Sequence, residues 1–122
     1  MLLADDNEKM SEWIATLLSS SCDLVGLAAD TAVVLESALQ LRPDVILLDF
    51  SLPGTLNSLE VCRRIKAMAP EVNVVVFTAD DDADLELAAY EAGAAAFVSK
   101  FDAASKLLPT IHAVADGAAP PV

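Results

Sequence analysis

The sequence predicts a doubly wound α/β domain with one five-stranded, mostly parallel sheet and five helices. Five short apolar runs alternate along the chain with five segments whose apolar residues recur at helical spacing. Two of these runs, at residues 45–48 and 74–77, contain only Val, Ile, Leu and Phe. Uninterrupted runs of this kind are typical of central strands in a parallel sheet that helices cover on both faces.

The predicted strands are short and regularly spaced. They cover residues 1–4, 24–28, 45–48, 72–77 and 95–98. A helical segment follows each of them, so the connections between strands are expected to be right-handed βαβ crossovers.

Residues with strong positional preferences mark the predicted helix ends. Asn7 is the expected N-cap of the first helix, Asp30 or Thr31 of the second, and Asp102 of the fifth. Trp13 is expected on the packing face of the first helix, because it shares the helical spacing of the apolar residues around it. Prolines or glycines end the later helices, at Pro43, Pro70, Gly93 and Gly117. A serine run at residues 19–21 ends the first helix, and an aspartate run at 80–82 begins the fourth.

The length and charge of the chain narrow its possible roles. Its 122 residues fit one domain, expected at residues 1–117, with 118–122 as the start of a linker or tail. The net charge of −12 predicts that this domain does not bind nucleic acid directly and does not bind an anionic membrane, because phosphate groups repel it.

Other features predict a cytoplasmic protein. No apolar stretch reaches the roughly 20 residues that cross a bilayer, and no basic segment precedes a long apolar one at the N-terminus. The two cysteines, Cys22 and Cys62, have the spacing of neither a zinc site nor a redox pair. We therefore expect two reduced thiols and a cytoplasmic location.

Four of the apolar runs lead into polar residues that suit phosphoryl transfer. Asp5 and Asp6 follow the first run, Asp49 the third, Thr78 the fourth, and Lys100 the fifth after one intervening serine. The carboxyl ends of parallel strands meet at one edge of a sheet, where open α/β sheets bind ligands. Three carboxylates, a hydroxyl and an ammonium at that edge indicate a site for a divalent cation and a phosphoryl group.

These residue types have distinct chemical roles. The carboxylate of Asp49 can attack phosphorus and hold an acyl phosphate, so it is the candidate nucleophile. Asp5 and Asp6 are candidate Mg²⁺ ligands, because Mg²⁺ prefers carboxylate, water and phosphate oxygens. Lys100 would pair with Asp49 and then, as a point charge, with the phosphoryl oxygens.

The same pattern resembles a two-component response regulator receiver domain. Further residues carry the match: Pro53 and Gly54 after Asp49, and the segment 91–94 and Phe97 before Lys100. The resemblance extends over essentially the whole chain. It implies the flavodoxin-like fold with strand order 2-1-3-4-5. The segment 100–102 and the end of the last helix are most similar to the subfamily with a LuxR-type helix-turn-helix output domain.

The resemblance also implies a set of metal ligands. Asp6 and Asp49 would coordinate Mg²⁺ directly, and Asp5 mostly through water. The backbone carbonyl of Ser51 would be a further ligand. All four residues stand at or just after a predicted strand end.

The function that the resemblance implies is phosphorelay signal transduction. A sensor histidine kinase would donate a phosphoryl group to Asp49, in a domain that catalyses its own phosphotransfer and autodephosphorylation without being an enzyme in the usual sense. Thr78 would then bond a phosphoryl oxygen, and Phe97 would fill the space this movement opens. The resulting switch would change a protein interface and could pair two copies of the domain.

The sequence departs from the usual pattern of this family after Asp49. The following loop has one residue more than is common, and Ser58 stands where a glycine is more frequent. The unusual loop and the short first strand leave open an alternative function, in which the domain has the receiver fold but is an interaction module that is not phosphorylated. A third alternative is a phosphohydrolase of the haloacid dehalogenase type, but such enzymes place a second acid two residues after the nucleophile, where this chain has Ser51.

Overall fold

Five parallel strands form the centre of the molecule. The computed structural model describes residues 1–18, 26–79 and 82–115. Its strands are β1 (Leu2–Ala4), β2 (Gly26–Ala28), β3 (Val45–Asp49), β4 (Asn73–Thr78) and β5 (Ala96–Ser99). They run in the order β2-β1-β3-β4-β5, and every pairing is parallel. The predicted fold class and strand order are therefore confirmed.

Helices cover both faces of this sheet. They are α1 (Glu8–Leu18), α2 (Thr31–Leu41), α3 (Ser58–Met68), α4 (Ala83–Glu91) and α5 (Ala103–Ala115). A short 3₁₀ turn at Lys100–Asp102 connects β5 to α5. Among the described residues, no helix combines the length and the apolar character needed to cross a bilayer.

The alternation of strand residues divides the core into two layers. On one face of β3, Ile46 and Leu48 pack with buried residues of α2, α3 and α4. On the other face, Val45 and Leu47 pack with buried residues of α1 and α5, together with Phe77 of β4. Every residue of β3 is buried as a result, which explains why its sequence shows no polar alternation.

Side-chain caps hold the ends of the helices near the site. Asn7 and Asp30 each accept the N–H of the third residue of the helix that follows, as predicted. Asp102 directly precedes α5 as the last residue of the 3₁₀ turn, and its role as the cap of α5 stays a prediction. Its carboxylate pairs with Lys106 at 3.8 Å, and the side chain that caps the turn belongs to Ser99.

Some predictions fall outside the described residues. These are the serine run at 19–21, Cys22, the first part of the second strand, the aspartates at 80 and 81, and the domain boundary at 117 with the tail that follows it.

Candidate functional site

The predicted polar residues meet at the carboxyl edge of the sheet. Asp5 directly follows β1, and Lys100 directly follows β5. Asp49 is the last residue of β3, and Thr78 is the last residue of β4. Because these strands are parallel, their ends bring all four residues to the same edge.

Three carboxylates lie close together at this edge. One oxygen from each of Asp5, Asp6 and Asp49 lies within 4.8 Å of one oxygen from each of the other two. Asp5 and Asp49 are buried, with exposures of 7% and 3%, whereas Asp6 is exposed. Negative charges this close repel one another unless a cation or a proton compensates them.

The carboxylate of Asp49 is hydrogen-bonded through both oxygens. Oδ1 accepts the backbone N–H of Ser51 at 3.1 Å and the Ser51 hydroxyl at 3.0 Å. Oδ2 accepts a hydrogen bond from Lys100 Nζ at 3.3 Å. A carboxylate has more lone pairs than these three donors use, so the side chain is held in place while it can still accept a further ligand.

Lys100 supplies positive charge to the cluster. Its Nζ lies 3.3 Å from Asp49 Oδ2 and 3.9 Å from Asp5 Oδ2. The same atom stands 5.5 Å from the centroid of the buried Phe77 ring. Because the lysine side chain is only 17% exposed, its charge is less screened by solvent than that of a surface lysine.

Asp5 is the carboxyl group of these three that burial and charge affect most clearly. Burial, and then the negative charge of Asp49, raise the pKa of Asp5 above its ordinary value, although the Asn7 N–H and Lys100 act in the opposite direction. Its Oδ1 accepts the Asn7 N–H at 2.8 Å. Its Oδ2 is buried and accepts no hydrogen bond from the residues that the structure describes.

This donor set fits a small divalent cation. It offers hard carboxylate oxygens on three neighbouring side chains, which Mg²⁺ prefers over nitrogen or sulfur. The buried Asp5 Oδ2 has an unused acceptor site, and a cation beside it would offset both the repulsion and the cost of burial.

The other predicted site residues lie nearby in different environments. Thr78 is buried at the end of β4. Ser51 directs its N–H and hydroxyl toward Asp49, and the role of its carbonyl as a metal ligand stays a prediction. Phe97 of β5 is half-buried against the core layer under α2, α3 and α4, and its role as a switch also stays a prediction.

Sequence reasoning missed two residues that hold the loop after Asp49. Thr31 contacts this loop from the start of α2, and Ser58 contacts it from the start of α3. The sequence indicated that position 58 is unusual, because a serine stands where a glycine is more common in this family. The contact of Thr31 had no signal in the sequence, since its partner Leu56 lies 25 residues away in the chain.

Gly54 is required where this loop meets Thr31, and Gly54→Ala should destabilise the fold. Its φ is +145°, and a Cβ there would lie 2.0 Å from Thr31 Oγ1. We expect the free energy of unfolding to fall by about 2–3 kcal/mol, measured by urea denaturation. Gly26→Ala is the matched control, because its Cβ would meet only side-chain atoms, the nearest at 3.2 Å. Equal losses in the two variants would contradict this account of the loop.

Comparison with known proteins identifies the family of this chain. The family model of the response regulator receiver domain matches residues 1–112. The response regulator MprA of Mycobacterium leprae (strain TN) is 33% identical over 114 residues, which are 93% of this chain and 50% of MprA. The chain therefore spans about half the length of the curated relatives that it matches.

Solved structures give the same result. A LuxR-family two-component response regulator from Aurantimonas sp. SI85-9A1 superposes with a TM-score of 0.90 at 27% identity, covering 97% of this chain and 85% of that chain. The signal receiver domain of the response regulator NarL from Mycobacterium tuberculosis gives 0.89 at 28% identity, with coverages of 95% and 94%. The chain belongs to the response regulator receiver domain family of two-component systems.

Proposed function

We propose that this receiver accepts a phosphoryl group on Asp49 from a phosphohistidine of a sensor histidine kinase, with Mg²⁺ as cofactor. The observation that carries the proposal is the setting of the Asp49 carboxylate. It is buried, Lys100 compensates it at 3.3 Å, and two further carboxylates stand beside it. A buried nucleophile flanked by a fixed cation and by metal ligands is suited to phosphoryl transfer.

The proposed transfer is a displacement at phosphorus. A carboxylate oxygen of Asp49 forms a new P–O bond, the P–N bond of the phosphohistidine breaks, and the imidazole leaves with the electron pair. Asp5, Asp6, Asp49 and the Ser51 carbonyl would hold Mg²⁺. When bound, the ion would neutralise negative charge on the phosphoryl oxygens.

Lys100 and Thr78 would contact the phosphoryl group after transfer. The ammonium of Lys100 would exchange its bond to Asp49 for one to a phosphoryl oxygen. Thr78 would donate its hydroxyl hydrogen to another. Autodephosphorylation returns the site to its first state, because water attacks phosphorus and the Asp49 carboxylate leaves.

Phosphorylation would then change an interface through Phe97. Movement of Thr78 toward the phosphoryl group would open space that the half-buried Phe97 ring can fill. Nearby apolar side chains are exposed, namely Leu87 and Tyr90 on α4 and Phe101 beside Lys100. We propose that these surfaces contact the kinase and, after phosphorylation, a second copy of the domain. A transcriptional output would require a separate output domain.

The test is intact-mass spectrometry after incubation with acetyl phosphate and Mg²⁺. We expect the wild type to gain the mass of one phosphoryl group, and Asp49→Asn to gain none. Asp44→Asn is the matched control, because it makes the same change at an exposed position just before β3. Equal labelling of wild type and Asp49→Asn would refute the proposal. Absence of both labelling and Mg²⁺ binding would favour the unphosphorylated interaction module.

A further inference from the structure

The loop between β3 and α3 is held in place by two buried hydroxyl side chains that have no assigned part in the acid site. The loop covers residues 50–57. Thr31 and Ser58 are 0% and 1% exposed. A hydroxyl buried this completely destabilises the fold unless it is hydrogen-bonded, so the bonds of these two residues define the loop conformation that the fold favours.

Thr31 holds the outer half of the loop. Its N–H donates to the Pro53 carbonyl at 2.9 Å, and its Oγ1 accepts the Leu56 N–H at 3.3 Å. Gly54 lies against the same side chain, with no room for a Cβ. The first residue of α2 therefore binds the loop on both sides of Gly54.

Ser58 holds the inner half, directly behind the nucleophile. Its hydroxyl lies 3.1 Å from the Asp49 carbonyl and 2.9 Å from the Phe50 carbonyl, and shares its hydrogen between them. The Phe50 N–H in turn donates to the Phe77 carbonyl at 2.9 Å. These bonds fix the two peptide groups from which the Asp49 side chain and the loop both extend.

Ser51 lies between the two anchored parts of the loop. Its N–H and hydroxyl both donate to Asp49 Oδ1, so a shift of the loop would move donors and carboxylate together. We propose that Thr31 and Ser58 are positioning residues for phosphoryl transfer. They hold the Asp49 carboxylate and the Ser51 peptide where a divalent cation and a phosphoryl group can use them. This inference rests on the proposed function.

The test distinguishes the effect of losing the Thr31 hydroxyl from the effect of changing the volume of its side chain. Thr31→Val keeps the shape and removes the hydroxyl, whereas Thr31→Ser keeps the hydroxyl and removes a methyl group. Ser58→Ala removes the second hydroxyl. Matched controls are Thr16→Val and Ser105→Ala, which remove exposed hydroxyls that bond to the backbone of their own helix or turn.

The readout is the Mg²⁺ concentration that gives half the maximal rate of Asp49 labelling by acetyl phosphate. We expect Thr31→Val and Ser58→Ala to raise this concentration about tenfold, the lower end of the range seen when a metal site loses an outer hydrogen-bond partner. Thr31→Ser and both controls should stay near the wild-type value. Circular dichroism establishes that each variant is folded. If Thr31→Val does not fold, the Mg²⁺ dependence of Ser58→Ala alone tests the inference.

Equal shifts for Thr31→Val and Thr31→Ser would overturn the inference, because the effect would then follow packing and not the hydroxyl. Wild-type values in folded Thr31→Val and Ser58→Ala would overturn it as well. If the wild type itself is not labelled, the proposed function fails, and the same variants are compared by the rise in melting temperature with Mg²⁺. A weaker Mg²⁺ effect in Thr31→Val than in Thr31→Ser would then support the positioning role for the cation site alone.

Discussion

Replacing Lys100 with methionine is expected to destabilise the metal-free protein by about 2–4 kcal/mol, because it leaves buried carboxylates without their counter-charge. Asp49 and Asp5 lie 3.3 and 3.9 Å from the Lys100 ammonium, and both carboxylates are buried. Methionine keeps an unbranched side chain of similar length without the charge, so the loss reports mainly on charge. The measurement is urea denaturation in a metal chelator and again in saturating Mg²⁺, where we expect the loss to shrink.

Lys106→Met is the matched control for this prediction. Lys106 also pairs with an aspartate, Asp102 at 3.8 Å, but both side chains are 51% exposed. Exposed pairs of this kind contribute little, so the loss should stay below about 0.5 kcal/mol. Similar losses in the two variants, or a Lys100→Met loss that Mg²⁺ does not change, would contradict the proposed electrostatic coupling.

The second large effect has the opposite sign. Asp5→Asn is expected to stabilise the metal-free protein by about 1–2 kcal/mol, because it removes a buried charge that Asp49 repels. Asparagine retains an oxygen that can accept the Asn7 N–H. In saturating Mg²⁺ the order should reverse, since only the wild type gains the full free energy of cation binding. Thermal melts without and with Mg²⁺ measure the stabilisation of the metal-free variant and its reversal in the presence of the cation.

The same variant makes the pH dependence testable. The pKa of Asp5 is raised above its ordinary value of 3.8, chiefly by burial. The folded state therefore binds this proton more tightly than the unfolded state, and stability falls as pH rises from 3.8 through the raised pKa. Without metal, the advantage of Asp5→Asn over wild type should grow as the pH rises above 3.8 and through the raised pKa. A difference that does not change with pH would contradict the assignment.

The sheet and the residues at its edge could be predicted because they depend on local patterns. The apolar run ending at Asp49 identified a strand buried on both faces, and the parallel order then placed Asp5 and Lys100 beside it. Strand polarity alone brings residues from distant parts of the chain to one edge. No side-chain detail was needed for that step.

The remaining features depend on contacts between distant segments. The loop anchor at Thr31 pairs residues 25 apart, and no periodic pattern encodes it. Trp13 shares the spacing of the packing face of α1 but is 43% exposed, whereas Ile14 and Leu18 of the same helix are buried. The 3₁₀ turn at Lys100–Asp102, capped by Ser99, had no separate signal in the sequence.

The most direct measurement locates the phosphoryl group itself. The wild type would be labelled with acetyl phosphate and Mg²⁺, treated with borohydride, and sequenced by tandem mass spectrometry. Borohydride reduces an acyl phosphate to the alcohol and releases phosphate, which converts the modified aspartate to homoserine. We predict homoserine at position 49, in an amount that falls with Lys100→Met and is absent without Mg²⁺. Homoserine at Asp5 or Asp6, or none in a protein that binds Mg²⁺, would contradict the assignment of Asp49 as the phosphoacceptor.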